Sequence, residues 1–226
     1  MVKNNKELVL AVRNLQIAFP ENVLFKGVNL DVFEDDFIVI TTGVMDGATT
    51  FIKSLLGLID ETEGEIIFQG EDLLRLNSHS KRQNARKKIG LVYEAAGLIS
   101  IMDVYHNISL PLSYHTNLSE KEIQKRIESI AEDLLISDLL YLEPNELNDT
   151  QTRVVNLARA LVTEPRVLLI DELEGGMTKP VIDHMIDVIQ TCQKQIHFGV
   201  IMTTLDRTID FGTTHYKIEE HNLVEV

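Results

Sequence analysis

Two short segments of this sequence carry residues suited to phosphate chemistry. In the first, the apolar run Phe37-Ile-Val-Ile-Thr41 leads into a glycine-containing loop, residues 42–48, and then into Thr49-Thr-Phe-Ile-Lys-Ser-Leu-Leu-Gly-Leu58, whose apolar positions recur at helical spacing. Strand, short loop and helix together are the layout of a phosphate-binding unit. The first amides of a helix have no internal partner, and the helix dipole favours an anion there. In the second segment, the apolar run Val167-Leu-Leu-Ile170 ends in the paired acids Asp171 and Glu172.

Such segments need elements to present them. Alternation in residues 8–12 and 28–33 reads as half-buried strands, with Phe19-Pro-Glu-Asn22 as the turn signal between them. The unbroken run at 37–41 reads as a strand buried on both faces. Residues 167–170 and Phe198-Gly-Val-Ile-Met-Thr203 are two more such strands, joined through a helix over 181–194. That order is βαβ and predicts a parallel sheet. Residues 118–142 form an amphipathic helical stretch with Ile123, Ile127, Ile130, Leu134 and Leu135 on one stripe, and residues 146–161 form another that ends before Pro165. Between these helices and the phosphate-binding unit lie residues 86–112, which begin with the strand-like Ile89-Gly-Leu-Val-Tyr93. The helical middle is inserted into an α/β core.

The 226 residues hold 35 acidic and 21 basic side chains, a net charge of −14. That balance argues against nucleic-acid binding, which rests on neutralising phosphates with Lys and Arg. An apolar content of 44% suits a folded chain with a sizeable core. Cys192 is the single cysteine, so an internal disulfide or Cys-rich metal site is excluded and a reducing compartment fits. The first twelve residues lack the apolar stretch of a signal peptide, and no run of about 18 apolar residues occurs. Work at a membrane would therefore pass through a partner.

Along residues 8–224 the order of features resembles the nucleotide-binding domain of ABC transporters. Asp46-Gly-Ala-Thr-Thr50 sits where that family has its phosphate-loop Gly-Lys-Ser/Thr-Thr, Tyr93-Glu94 falls on the Phe-Gln of the Q-loop, and Leu147-Asn-Asp-Thr-Gln151 on the Leu-Ser-Gly-Gly-Gln signature. Ala158-Arg-Ala-Leu161 and Leu168-Leu-Ile-Asp-Glu172 match the helix after the signature and the Walker B strand. Pro111-Leu-Ser-Tyr-His-Thr-Asn-Leu118 and Glu174-Gly-Gly-Met-Thr-Lys-Pro180 are most similar to the MCE-associated, Mla-type ATPase subunits of bacterial phospholipid transporters. The resemblance implies a P-loop α/β fold with an antiparallel β subdomain, in one domain over 1–226. Its α/β core would span about 1–92 and 156–226, and its helical subdomain about 93–155. It also implies ATP and Mg²⁺ as ligands, an integral-membrane permease as partner, a dimer with itself or with another ABC ATPase subunit, and a cytoplasmic place on the inner face of the membrane.

The resemblance also assigns roles, and several fall on residues that cannot perform them. Phe19 takes the place of the aromatic that stacks on adenine. Gly43, Asp46, Gly47, Ala48, Thr49 and Thr50 form the phosphate loop, and Thr49 and Asp171 would hold Mg²⁺ beside Glu172 as general base. Counting back nine residues from Gly57 puts Ala48 at the essential lysine, and a register starting from Gly43 puts Thr49 there instead. The cation is missing in both. Asp46 brings a carboxylate into a loop meant for a polyanion; at an effective dielectric near 20, one unit charge about 4 Å away is worth roughly 4 kcal/mol. Glu94 replaces the Q-loop glutamine. Thr204 stands at the switch histidine, with Leu205 there on a one-residue slip, and Thr178 stands at the D-loop aspartate. His197 and His215 read as surface histidines. Asn148, Asp149 and Thr150 replace residues of the signature, glycines included, between Leu147 and Gln151. The permease-docking region keeps apolar Leu98, Ile99, Ile101, Met102 and Val104. The expected function is a catalytically degenerate ABC subunit that supports a lipid-type transporter. The alternatives are a divergent active ATPase using Thr49, Glu94, Asp171 and Glu172 with Lys53 or a partner's Arg, and a stand-alone scaffold.

Overall fold

A computed structural model describes residues 6–76, 78–93 and 97–226. Strands β1 (Leu8–Phe19) and β2 (Asn22–Phe33) form a long antiparallel hairpin, which continues through β4 (Thr62–Phe68) to β5 (Glu71–Asp72) in the order β2-β1-β4-β5. The second sheet runs β10 (Asn222–Glu225), β9 (Thr214–Glu219), β3 (Phe37–Thr41), β8 (Gly199–Thr204), β7 (Val167–Asp171), β6 (Ile89–Val92). All its pairings are parallel except β9 with β10. The helices are α1 (Ala48–Leu55), α2 (His79–Arg86), α3 (Val104–His115), α4 (Glu120–Asp133), α5 (Asp149–Leu161) and α6 (Lys179–Ile196).

Alternation along the parallel strands divides the core in two. Ile38, Ile40, Val167, Leu169 and Ile201 pack toward the antiparallel sheet and α1. Val39, Leu168, Ile170, Val200 and Met202 pack toward the faces of α3, α4, α5 and α6. Both faces of the sheet are thus covered, which is why these strands read as unbroken apolar runs. Register places Thr41 opposite Thr204 and Asp171 opposite Thr203. The phosphate loop and the paired acids therefore meet at the carboxyl edge of one sheet, the usual ligand side of an open α/β fold.

Several boundaries differ from the sequence reading. The first two strands are far longer than 8–12 and 28–33, because the pairing continues through a register shift between Val12 and Leu15. Asn14 adopts φ 46° there, which hides the alternation although Leu15 and Ile17 are fully buried. Leu135 leaves the apolar stripe: α4 has ended, Leu135 turns at φ 57° and is 74% exposed. Helix α3 carries Pro111 in its interior. The boundary expected between 155 and 156 falls inside α5.

Candidate functional site

The loop after β3 keeps the backbone of a phosphate cradle. Met45 and Gly47 adopt φ 68° and 84°, so Met45 holds a left-handed conformation ordinarily left to glycine. Helix α1 starts at Ala48 with no side-chain cap and no acid in its first turn. Its first amides thus face the loop as an anion site would require.

The side chains contradict the backbone. The Gly43 amide donates to Asp46 Oδ2 at 2.5 Å, so a carboxylate of the loop itself occupies one of the loop's own donors. Ala48 is buried and uncharged, with Thr49 and Thr50 half-buried beside it. Lys53, one turn on, lies over the Tyr93 ring with its ammonium 4.8 Å from the centroid. Beside the loop is a cleft of about 350 Å³ lined by Asn22, Val23, Leu24, Met45, Asp46, Ile218, Glu220 and His221. Two carboxylates face it, and Phe19 packs against the β1–β2 core instead of lining it among the described residues. The backbone of this loop fits a phosphate, while its side chains place the Asp46 carboxylate on a loop amide and Ala48 where the family resemblance expects a lysine.

At the end of β7, Asp171 is 1% exposed and its Oδ1 lies 3.2 Å from the Thr203 hydroxyl. Glu172 is half-buried with φ 52°; its amide donates to that same hydroxyl at 3.3 Å, and its carbonyl accepts from Arg153 at 2.9 Å. Thr203 thus ties the acid pair to the neighbouring strand, a role that a threonine within an apolar run did not advertise. Thr204 is fully buried, and its hydroxyl donates to Glu174 Oε1, which also accepts the Leu205 amide at 3.1 Å. Thr204, expected at the switch histidine, is therefore turned inward with its hydroxyl engaged. Thr178 precedes α6 without capping it by its side chain.

The signature residues close on themselves. Asn148 caps α5 by accepting the Gln151 amide at 2.9 Å, while the Gln151 side chain accepts the Asn148 amide at 2.9 Å. This reciprocal capping box leaves exposed Asp149 in the first turn, where its charge suits the positive helix end. Thr150 and Gln151 are half-buried, and Leu147 packs against the core. An anion from outside would meet a helix end that already carries one.

Glu94 lies outside the described residues; Tyr93 and the residues from Gly97 onward are held by side chains of α3 and α5. Asn156 donates to the Tyr93 carbonyl at 3.0 Å and Arg159 to the Gly97 carbonyl at 2.9 Å. Fully buried Asn107 accepts the Ile99 amide at 2.7 Å and donates to the carbonyls of Ile99, Met102 and Asp103 at 3.1, 2.9 and 3.0 Å. Sequence reasoning passed over Asn107; its only signal was a polar residue on the apolar face of a helix. The docking residues separate accordingly. Ile99 and Met102 line a cleft of about 670 Å³ between α2–β6 and α3, and Ile101 beside them is 88% exposed. Leu98 packs against the core, and Val104 is fully buried within it at the start of α3, so Val104 does not reach a partner.

The profile of the ABC transporter family matches residues 25–174. The chain is 27% identical over 196 residues to the methionine import ATP-binding protein MetN of Clostridium acetobutylicum, covering 87% of this chain and 61% of that protein. It therefore spans about three fifths of that relative's length. It is 26% identical over 218 residues to the intermembrane phospholipid transport system ATP-binding protein MlaF of Haemophilus influenzae, covering 96% of this chain and 76% of that protein. The dimeric structure of MJ0796, a bacterial ABC transporter cassette, superposes with a TM-score of 0.87 at 22% identity, over 95% of this chain and 96% of that one, and shows the same fold. With the profile spanning its phosphate loop, signature and acid pair, the chain belongs to the ABC transporter family.

Proposed function

We propose that this chain is a catalytically degenerate ATP-binding subunit of an ABC transporter. It is held on the cytoplasmic face by a permease, pairs with itself or with another ABC ATPase subunit, and supports lipid-type transport. The observation that carries the reading is the Asp46 carboxylate bonded to the Gly43 amide, in a loop where Ala48 stands for the lysine. A cation is lost and an anion gained where phosphates would sit. The half-exposed loop screens this, yet a penalty of even about 3 kcal/mol lowers affinity over a hundredfold. Thr204, engaged by Glu174, offers no imidazole at the switch position, and Asp149 adds a carboxylate where the signature has glycine.

In ABC dimers each composite site takes its loop from one chain and its signature from the other. Two copies of this chain would thus have two silent sites, and an intact partner would be left with one weakened site. Among the described residues no helix is long and apolar enough to cross a membrane, so a membrane-bound subunit would have to carry this chain. Likeness to MlaF over 96% of the chain supports the lipid assignment. Asp171 and Glu172, still at the end of β7, favour a second reading as a divergent active ATPase. Titration calorimetry with Mg-ATP tests the proposal: no binding in the micromolar range is expected, and a low-micromolar dissociation constant would overturn it. Combining Ala48→Lys with Asp46→Ser is expected to strengthen binding more than either change alone.

A further inference from the structure

We infer that the cleft between α2–β6 and α3 is a binding site for a single-chain anionic amphiphile, a fatty acid or a singly acylated phosphate. Its head would lie on Arg86 and Lys87 and its chain along Ile99, Met102, Leu110 and Pro111. The cleft's volume, about 670 Å³, falls within the roughly 300–1000 Å³ of small-molecule sites, which are mostly apolar with a few placed polar groups. The site takes no part in the nucleotide chemistry and goes beyond the function proposed above.

The head end follows from charge. The chain carries a net charge of −14, yet the described lining of this cleft holds Arg86, Lys87 and Arg159 and no Asp or Glu. Half-buried Arg86 donates from Nε and Nη2 to the Leu56 and Gly57 carbonyls at 2.7 and 2.8 Å. Both acceptors are neutral, and Nη1 has no acceptor among the described residues, so the guanidinium is oriented with its charge uncancelled. Lys87 is half-buried too and makes no ion pair among the described residues. A partly buried cation without an acid is costly, and an incoming carboxylate or phosphate relieves that cost.

The chain end follows from the other wall. Ile99, Met102, Leu110 and Pro111 line it, and Tyr114, 77% exposed, extends it. An acyl chain covers such a surface. A bare anion would leave this wall wet, and a neutral apolar ligand would leave the cations unpaired; an amphiphile satisfies both. Ile99 and Met102 also belong to the docking residues, so this ligand and a docked permease would exclude one another. The binding test needs no permease.

Titration calorimetry of the full chain tests this with decanoate, decyl phosphate, decyl glucoside and decyltrimethylammonium below their micelle-forming concentrations, and with hexanoate and inorganic phosphate. Two half-exposed ion pairs are together worth about five- to tenfold. Decanoate and decyl phosphate are therefore expected to bind at one site about that much tighter than the glucoside, with the ammonium weakest and the gap narrowing from about 50 to 500 mM salt. Each buried methylene is worth about fourfold, so hexanoate should bind about tenfold or more weakly than decanoate. Lys87→Glu should remove the preference for anions, and Met102→Asp should weaken every decyl ligand, with circular dichroism confirming the fold. Tyr114→Ser probes the same wall should Met102→Asp not fold. Arg86 is left unchanged because it also braces the end of α1. Tighter binding of decyl phosphate would assign the head to a phospholipid fragment and tighter binding of decanoate to a free fatty acid, and either supports the site. Equal affinity for all four decyl heads would overturn the inference and leave the cleft to the docking proposed above. Inorganic phosphate binding as tightly as decyl phosphate would overturn the amphiphile, an anion preference untouched by Lys87→Glu would place the site elsewhere, and failure of every ligand to bind would overturn the inference outright.

Discussion

Replacing Asn107 by Ala should loosen the lip of the cleft lined by Ile99 and Met102 at a cost that the structure lets us work out. The side chain makes four contacts with the backbone of residues 99–103, but its amide has two hydrogens for three carbonyls, so about three full bonds are at stake. Each contributes about 1 kcal/mol net, and the buried groups left without a partner add to that, so a loss of about 2–4 kcal/mol is expected. For a chain of this size that lowers the melting temperature by roughly 5–15 °C, within the stability of an ordinary domain. Denaturant unfolding followed by circular dichroism measures the cost, and amide exchange at Ile99 measures the local opening. Asn107→Leu, which restores bulk without hydrogen bonds, should lose nearly as much. A loss below about 0.5 kcal/mol in both variants would refute the reasoning, because it would mean that Arg159 on Gly97 holds the segment by itself.

Ile101→Asp should release the chain from its membrane partner in co-purification while Glu172→Gln stays bound, since an unpaired charge is costly to bury at an apolar contact; the reverse pattern would show that nucleotide holds the complex together. Burial and Asp133 raise the Cys192 thiol to about 11, so at pH 8 iodoacetamide should label folded chain more than about tenfold more slowly than urea-unfolded chain. The difference should close as pH rises past the folded value, and equal labelling rates at pH 8 would contradict this burial. Thr203→Val should lower stability by about 1–2 kcal/mol in thermal melts, because it removes the hydroxyl shared by Asp171 and the Glu172 amide; an unchanged melt would contradict that link.

The parallel strands were legible because a strand covered on both faces has to be apolar throughout, as 37–41 and 167–170 are. Helix α4 was legible from its amphipathic stripe of Ile123, Ile127 and Ile130. What stayed hidden was set by the backbone or by distant partners. The bulge at Asn14 breaks the alternation of β1, and α2 is so polar that no stripe marks it. Of the site, the loop and the acid pair could be read from residue types, and so could the missing lysine. The Asp46 bond to Gly43, Glu174 on Thr204 and the Asn107 clamp could not, because each depends on where two chain segments meet.

The central claim is that this cassette no longer turns over nucleotide, and steady-state Mg-ATP hydrolysis by the purified chain tests it most directly, with Glu172→Gln measured in parallel. We predict the same background rate for both proteins. A turnover of about one per second or more that disappears in Glu172→Gln would contradict the account and make the acid pair at the end of β7 a working catalytic centre.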